Sequence, residues 1–260
     1  MNTVFISFKS ELTKLKRSRV FWITTIIFII LPMMTGFLVY LSKHPEIASK
    51  LGMMGTKAQI LKTNDWQGYF NLVHQSCSSL GLIGFGFIAA WVFGREYTDR
   101  TIREMLVLPI PRASYVYAKL LLVALWSLML VSIMYLVFIV IGMNLGLEGW
   151  NNHAFIDFNT RYFVAALLTV LLSTPIVFIS SVTRGFFAPI GFVFLTMMLA
   201  QFAGVAGVGP YFPWSVPGLY AMNQAAEGMQ ITAASFVIVG IFSVIGLMGT
   251  LWYWRKADQH

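Results

Sequence analysis

Six long apolar runs dominate the sequence and leave little chain between them. They cover residues 21–41, 69–94, 116–142, 162–182, 186–208 and 231–254. A helix needs roughly 20 mostly apolar residues to cross a bilayer, and each run reaches that length. The runs are continuously apolar rather than alternating, which excludes a spanning β-barrel. We therefore expect an all-α integral membrane protein in which residues 1–260 form a single transmembrane domain.

The composition agrees with this fold class. Hydrophobic residues make up 58% of the chain and charged residues only 11%, whereas a soluble domain has about 45–50% and about 25%. This balance excludes a water-soluble domain and a disordered chain. The net charge of +8 is explained by the lysines and arginines that collect on one side of the membrane, as described next. We therefore expect a lipid bilayer and no nucleic acid as partner. A single cysteine, Cys77, excludes an internal disulfide or a cysteine-based metal site.

The lysines and arginines are distributed unequally between the two sides that six spans define. Thirteen of the 18 lie at the two termini, in the loop between spans two and three, or in the turn after span four. Cytoplasmic loops carry the excess of these residues in membrane proteins. The sequence therefore predicts a protein of the cell membrane with both termini in the cytoplasm.

The segment before the first span, about residues 3–19, has the pattern of an amphipathic helix. Its apolar residues recur at spacings of three and four, with cations opposite: Phe5, Phe8, Leu12 and Leu15 against Lys9, Lys16 and Arg17. Such a helix lies in the membrane interface. An ordinary positively charged flank would explain the cations but not the aromatic spacing.

The loop between spans two and three contains the signals of a short helix. Thr101 and Glu104 form a capping box, so the helix begins at Ile102 and Pro109 ends it. Its apolar face consists of Ile102, Met105 and Leu106, and Pro111 and Arg112 follow it. A rigid helix beneath the membrane suits docking against a cytoplasmic partner. A charged, solvated loop is the alternative.

This stretch resembles the type-two ABC transporter permeases. In that family a glutamate at the end of span two precedes a Gly-Thr pair, a leucine-containing helix, Pro-x-x-Arg and a lysine seven residues later. The matching residues here are Glu96, Thr101, Met105, Leu106, Pro109, Arg112 and Lys119, while Arg100 and Ala118 replace glycines of the pattern. The resemblance implies that this loop is the coupling helix that meets an ATPase subunit, and that the N-terminal helix is the family's connecting helix.

The segment between spans five and six resembles the branch of this family that protects cells against bacitracin and lantibiotics. Its prolines and tryptophan, Pro210, Pro213, Trp214 and Pro217, predict a stiff apolar element on the external side. It is a candidate external gate if it re-enters the protein, because irregular backbone at membrane depth must be buried. A loop lying flat on the lipid headgroups is equally compatible with the sequence.

No nucleotide-binding motif of the form Gly-x-x-x-x-Gly-Lys-Ser/Thr occurs in the chain, so we expect it to be no enzyme. We also expect no cofactor, no catalytic residue and no metal site. The resemblance implies a separate ABC ATP-binding subunit in two copies, which would hold ATP and magnesium. It also implies a second permease chain, as a homodimer or with a sister permease. The small-residue pairs Ala200 with Gly204 and Ala203 with Gly207 are candidate dimer contacts, although packing within one chain needs the same residues.

Two charges near the membrane leave alternatives open. Lys119 lies about four residues inside span three, where it can snorkel to the interface or fix the loop to the span. Glu96 is expected to pair at the surface with Arg95, Arg100 or Arg112, and a surface pair contributes little to stability.

The combined interpretation is an ABC exporter permease for an amphipathic or hydrophobic cargo such as a peptide antibiotic, hence a role in antibiotic resistance. The spans lack a charged ring, which argues against a path for small ions. Sodium or lipid export and a stand-alone secondary transporter are the alternatives. The secondary transporter is disfavoured because the chain has no internal repeat and nearly uncharged span centres.

Overall fold

The computed structural model describes residues 3–44, 46–47, 65–99, 110–222 and 230–256. Its helices are α1 (Thr3–Lys16), α2 (Arg19–Lys43), α3 (Trp66–Thr98), α4 (Arg112–Asn144), α5 (Asn152–Leu171), α6 (Ser173–Val182), α7 (Phe187–Val205), α8 (Val216–Met222) and α9 (Ala233–Lys256), with a 3₁₀ turn at Gly209–Tyr211. Within the described ranges, six helices are long and apolar enough to cross a membrane, counting α5 and α6 as one. The predicted fold class is confirmed.

Each predicted span coincides with a helix of the structure, and several of these helices are longer than the predicted span. The largest difference is at the fourth span, where the helix begins ten residues earlier than the predicted residue 162. Residues 152–161 are too polar to belong to an apolar run, yet they are helical because the Asn151 side chain accepts a hydrogen bond from the His153 amide and caps the helix. A cap and polar first turns extend a spanning helix beyond the apolar part.

A proline explains why the fourth span is divided into α5 and α6 at Leu172. Pro175 has no amide hydrogen to donate to the carbonyl of Leu171. The hydroxyl oxygen of Thr174 lies 3.0 Å from that carbonyl oxygen and 2.7 Å from the Ser243 carbonyl oxygen of α9, so its one hydrogen is shared between these two acceptors. The break therefore joins the span to its neighbour α9.

Helix α3 forms the centre of the bundle. It packs against α4, α5, α6, α7 and α8, and Ile88, Ala89 and Phe93 on it are completely buried. A close approach occurs at Gly94, where a Cβ atom would lie 2.7 Å from the backbone of Gly185. Helices α2, α7 and α9 surround this centre with mostly exposed apolar side chains, as membrane-facing helices do.

The helices run alternately between two ends of the bundle. We call the end that holds α1, the last turn of α3, the start of α4 and the last turn of α9 the α1 end. The far end holds the start of α3, the end of α4 and α8. There the Lys43 ammonium of α2 donates to the Leu145 and Gly146 carbonyls at 2.9 and 2.8 Å, capping α4.

A buried ionic cluster as the candidate functional site

Helix α1 packs on the bundle through a face that carries a carboxylate. Its buried residues are Ser7, Glu11 and Leu15, spaced by four so that they share one face. Phe5, which was assigned to the apolar face, is 59% exposed. The Thr3 and Ser114 hydroxyls lie 3.1 Å apart and add a second attachment, between α1 and α4. The predicted helix is therefore present, and its inner face is more polar than the sequence pattern indicated.

Glu11 is the centre of these contacts, with 1% of its surface exposed. Its Oε2 atom accepts from Arg95 Nη2 at 2.7 Å and from Lys119 Nζ at 3.0 Å. Its Oε1 atom accepts from Lys14 Nζ at 3.2 Å. One carboxylate of α1 thus holds a cation of α3 and a cation of α4 at the same time.

Lys119 is completely buried, so the snorkelling alternative is wrong. Its ammonium donates to Glu11 Oε2 and Glu96 Oε1, both at 3.0 Å, and to the Val92 carbonyl at 3.2 Å. An ammonium has three hydrogens to donate, and each has an acceptor here. Complete pairing explains how this charge is tolerated without water.

Glu96 is also buried, with 2% of its surface exposed, so the predicted surface pair is wrong. Its Oε1 atom lies 3.0 Å from Lys119 Nζ, 3.1 Å from Lys14 Nζ and 3.5 Å from Arg95 Nε. Arg95 was one of its predicted partners. The Arg95 guanidinium also lies over the Trp91 ring, 4.5 Å from its centroid, in a cation–π contact.

We call these five residues, Glu11, Lys14, Arg95, Glu96 and Lys119, the ionic cluster. Burial raises the pKa of the Glu11 carboxyl, but the charges of Lys119, Lys14 and Arg95 outweigh it, so the pKa lies below its ordinary value of 4.5. Burial lowers the pKa of Lys14, but Glu11 and Glu96 outweigh it, so that pKa lies above 10.5. Both α1 groups are therefore charged at neutral pH.

The cluster joins three segments into one unit at the α1 end. Arg95 and Glu96 belong to the last turn of α3, and Lys119 to the third turn of α4. The chain between them is the loop of residues 99–111. Removing one partner of a buried ion pair costs about 3–5 kcal/mol, so these contacts lock α1 to both helices that carry the loop.

Comparison with known proteins identifies the family. Residues 7–200 match the family model described as "ABC-2 family transporter protein". The chain belongs to the ABC-2 transporter family. All five residues of the ionic cluster lie within the matched range. The chain is also 26% identical to the Bacitracin transport permease protein BCRB of Bacillus licheniformis over 181 residues, which cover 70% of this chain and 86% of that protein.

These matches confirm the resemblance to type-two ABC permeases of the bacitracin branch. The chain is a multi-pass membrane protein and the membrane subunit of an ABC transporter. Family membership also implies an ABC ATPase as its partner. The secondary-transporter alternative loses its support, since the match runs from within α1 to within α7.

The predicted coupling helix of this ABC-2 permease lies mostly outside the described residues. This applies to Thr101, Ile102, Glu104, Met105, Leu106 and Pro109. Pro111 immediately precedes α4, and the Arg112 guanidinium donates to the Trp254 carbonyl at 3.4 Å. Trp254 in turn donates its indole N–H to Ser181 Oγ at 3.0 Å. Arg112 thereby connects the end of the loop to α9 and α6.

The candidate gate folds back against the bundle at the far end. Pro210, Pro213, Trp214 and Pro217 are all buried. The Trp214 ring contacts Phe192 of α7 and Phe242 of α9, with centroids 5.5 and 5.8 Å away. This arrangement matches the interpretation in which the segment is enclosed by protein. Its role as a gate stays a prediction.

The candidate dimer contacts do not form one surface. Ala203 is buried within the chain, and Ala200 and Gly204 line a cavity described below. Gly207 has a φ of +74°, a backbone conformation that favours glycine, and it ends α7. Its amide donates to the Gly204 carbonyl at 3.2 Å. A dimer contact through these residues stays a prediction.

Sequence reasoning selected Glu96 and Lys119 and named Arg95 as a possible surface partner of Glu96, but it missed Glu11 and Lys14. One signal was available. Glu11 is the only acidic residue among the first 45, and it falls between Phe8 and Leu12 on the apolar side of the predicted helix. A lone carboxylate on such a face requires a buried cation.

The position of α1 should not depend on pH near neutrality. Glu11 contributes fully to the stability of α1 docking above its ordinary pKa of 4.5, and this contribution is lost as the pH falls through the lowered pKa of the docked state. Lys14 contributes fully below its ordinary pKa of 10.5, and its contribution is lost as the pH rises through the raised pKa of the docked state. Hydrogen exchange of the α1 amides, corrected for the intrinsic rate, should therefore be constant between about pH 6 and 9. A change of protection within this interval would contradict the charge states assigned here.

Proposed function

We propose that this ABC-2 permease exports an amphipathic or hydrophobic cargo, and specifically a peptide antibiotic, out of the cell. The relative from Bacillus licheniformis is named for bacitracin transport, which supports a cargo of this kind. Among the described residues, the buried charges are paired with one another at the α1 end rather than placed along a path. An apolar path suits a cargo that is itself largely apolar.

The observation that carries the mechanism is the ionic cluster at the base of the loop. ATP hydrolysis takes place in a separate subunit, which binds ATP and magnesium and presses on the loop of residues 99–111. Because Glu11 is bonded to both Arg95 and Lys119, a force on the loop moves α1 and the adjoining ends of α3 and α4 together. The movement then passes along α3, the central helix, to the far end.

The proposed assembly contains two permease chains as a homodimer and two ATPase subunits. The α1 end faces the cytoplasm, because 13 of the 18 lysines and arginines lie on this side. Both termini are then cytoplasmic, in the cell membrane. The far end, with the segment around Trp214, is then on the external side.

The proposal is tested by purifying the tagged chain from its native host in mild detergent. An ABC ATPase should co-purify in equal amount, and the eluate should hydrolyse ATP with sensitivity to vanadate. Reconstituted vesicles should accumulate bacitracin when ATP is supplied on the α1 side. Accumulation without any ATPase, driven by an ion gradient alone, would refute the proposal.

Coupling is tested with Glu96→Ala and Arg112→Ala in the same vesicles. Both remove bonds that hold the ends of the loop, so bacitracin accumulation should fall about tenfold or more while ATP hydrolysis continues. Arg255→Ala is the matched control for arginine, since Arg255 is exposed at the same end. Equal losses of hydrolysis and accumulation would indicate failed assembly rather than uncoupling, and would contradict this role of the cluster.

A further inference from the structure

A cavity of about 400 Å³ opens at the far end of the permease, between α3, α5, α7 and the segment that contains α8. The ionic cluster lies at the opposite end and has no part in it. The volume is at the lower end of the range of about 300–1,000 Å³ that ligand sites occupy. It therefore suits one segment of a larger molecule rather than a whole peptide antibiotic.

Two glutamine side chains line this cavity from opposite helices. Gln75 lies on α3, about 14 Å from the start of the helix at 1.5 Å per residue, and Gln201 lies on α7. Neither forms a hydrogen bond to any other residue in the described part of the chain. Both side chains are exposed, so their amide groups are accessible to a ligand. Together the two side chains offer both donors and acceptors to a ligand.

The cavity wall also includes Trp214, a side chain that is only 7% exposed. Its indole N–H is closed off from solvent and has no hydrogen-bond partner among the described residues. The hydroxyls of Ser78 and Thr169 donate to carbonyls of their own helices at 2.9 and 2.8 Å, which leaves their oxygens as acceptors. The wall thus combines polar groups with the apolar side chains of Met197 and Leu219.

No formal charge is present among the described residues that line the cavity. A lipid phosphate or a carboxylate would need a cation, and an acyl chain would leave the two side-chain amides unpaired. A peptide bond offers one N–H and one C=O, which match side-chain amides.

We propose that this cavity binds an uncharged backbone segment of the exported peptide, with an adjoining apolar side chain against Trp214 and Met197. This inference rests on the proposed export of a peptide. It assigns the contact with the cargo to Gln75 on α3 and Gln201 on α7.

The binding site can be tested by protection of an introduced cysteine. Cys77 is the only cysteine of the chain and is buried, so Cys77→Ala provides a cysteine-free background. Gln201→Cys and, as control, Gln67→Cys are then labelled with a maleimide in the reconstituted permease–ATPase complex. Gln67 is exposed on α3 and does not line the cavity. Saturating bacitracin should slow labelling at position 201 about tenfold and leave position 67 unchanged.

Stimulation of ATP hydrolysis by bacitracin, measured on the same preparation, separates the two proposals. Stimulation without protection of position 201 would overturn the cavity assignment and leave peptide export standing. Protection without stimulation would support the cavity as a peptide site and count against export of this peptide. The absence of both protection and stimulation would overturn both proposals. Protection of position 201 by a short-chain phospholipid, but not by bacitracin, would assign the cavity to lipid.

The affinity of the complex for bacitracin gives an independent test of the cavity assignment. Gln75→Leu and Gln201→Leu should each raise the bacitracin concentration for half-maximal stimulation of ATP hydrolysis about tenfold, because each removes hydrogen bonds to the peptide. The concentration for half-maximal stimulation is compared after each variant's stimulated rate is divided by its own basal rate, so that a change in basal hydrolysis does not imitate a change in affinity. Gln67→Leu makes the same chemical change on α3 outside the cavity and should have no effect. An equal shift in all three variants would refute specific recognition.

Discussion

Replacing Glu11 with leucine should release α1 from the bundle and stop coupled export. The carboxylate accepts from Arg95 at 2.7 Å and from Lys119 at 3.0 Å, and both cations are buried. Without it, three cations of the cluster share Glu96 alone. Leaving a buried charge without its partner costs about 3–5 kcal/mol. That cost is enough to shift the docking of α1 by more than a hundredfold, since 1.4 kcal/mol corresponds to a factor of ten.

The release can be measured by hydrogen exchange on the purified complex. Protection of the α1 amides should fall strongly in Glu11→Leu, and vesicle accumulation of bacitracin should be lost while the amides of α5 and α9 stay protected. Glu148→Leu is the matched control, because Glu148 is exposed at the far end. Unchanged α1 protection in Glu11→Leu would show that Ser7, Leu15 and the Thr3–Ser114 contact hold the helix without the cluster.

A compensating substitution distinguishes charge from packing. In the double variant Glu11→Leu with Lys119→Met, the buried cation that lost its acceptor is also removed, and Glu96 then faces Arg95 and Lys14. We expect the double variant to recover much of the α1 protection lost in Glu11→Leu. Such non-additivity is typical of residues in direct contact. Additive losses would contradict a cluster governed by charge balance.

Most of the fold could be predicted from the sequence because the bilayer imposes one length and one polarity on every span. The six apolar runs mark their helices correctly. The ends were less accurate, because polar turns such as residues 152–161 continue a helix beyond its apolar part. The division at Leu172 follows from Pro175, which the sequence shows, but the bond from Thr174 to the Ser243 carbonyl, 69 residues away in sequence, could not be predicted.

The ionic cluster could be predicted only in part. Its members come from three helices, with Glu11 and Lys119 108 residues apart. A charge near the end of a span is expected to reach water, which is why Lys119 and Glu96 were interpreted as surface groups. Packing of α1 over them reverses this expectation. Sequence spacing contains no information about which helix covers such a charge.

The segment around Trp214 shows a different limit of prediction from sequence. Its prolines and aromatic residues predict a stiff element, and this much is independent of where the element lies. The backbone polar groups of the segment can be satisfied both when it is enclosed by protein and when it lies on the lipid headgroups. The sequence therefore favours neither arrangement. The choice depends on the contacts of Trp214 with Phe192 and Phe242, which come from two other spans.

Replacing Gly246 with valine should weaken the packing of α9 against α6 and destabilise this side of the permease. A Cβ atom at Gly246 would overlap the backbone of Thr174 and Pro175, at the point where α5 ends and α6 begins. Backbone atoms cannot move aside as a flexible side chain can, so α9 must shift. Overpacking of this kind costs about 1–3 kcal/mol, and occasionally more. The shift would also disturb Trp254, whose carbonyl accepts from Arg112 at the end of the loop.

Gly240→Val separates this clash from the general effect of valine in a helix. Gly240 lies on the same helix, and a Cβ atom there would meet nothing within 4 Å. Both substitutions change helix propensity equally, so any difference between them reports packing. Gly246→Val should lower the thermal unfolding temperature of the purified protein by several degrees more than Gly240→Val. It should also weaken ATP-driven accumulation, because the loop loses its support from α9. Equal unfolding temperatures would mean that α9 does not pack on α6 as described.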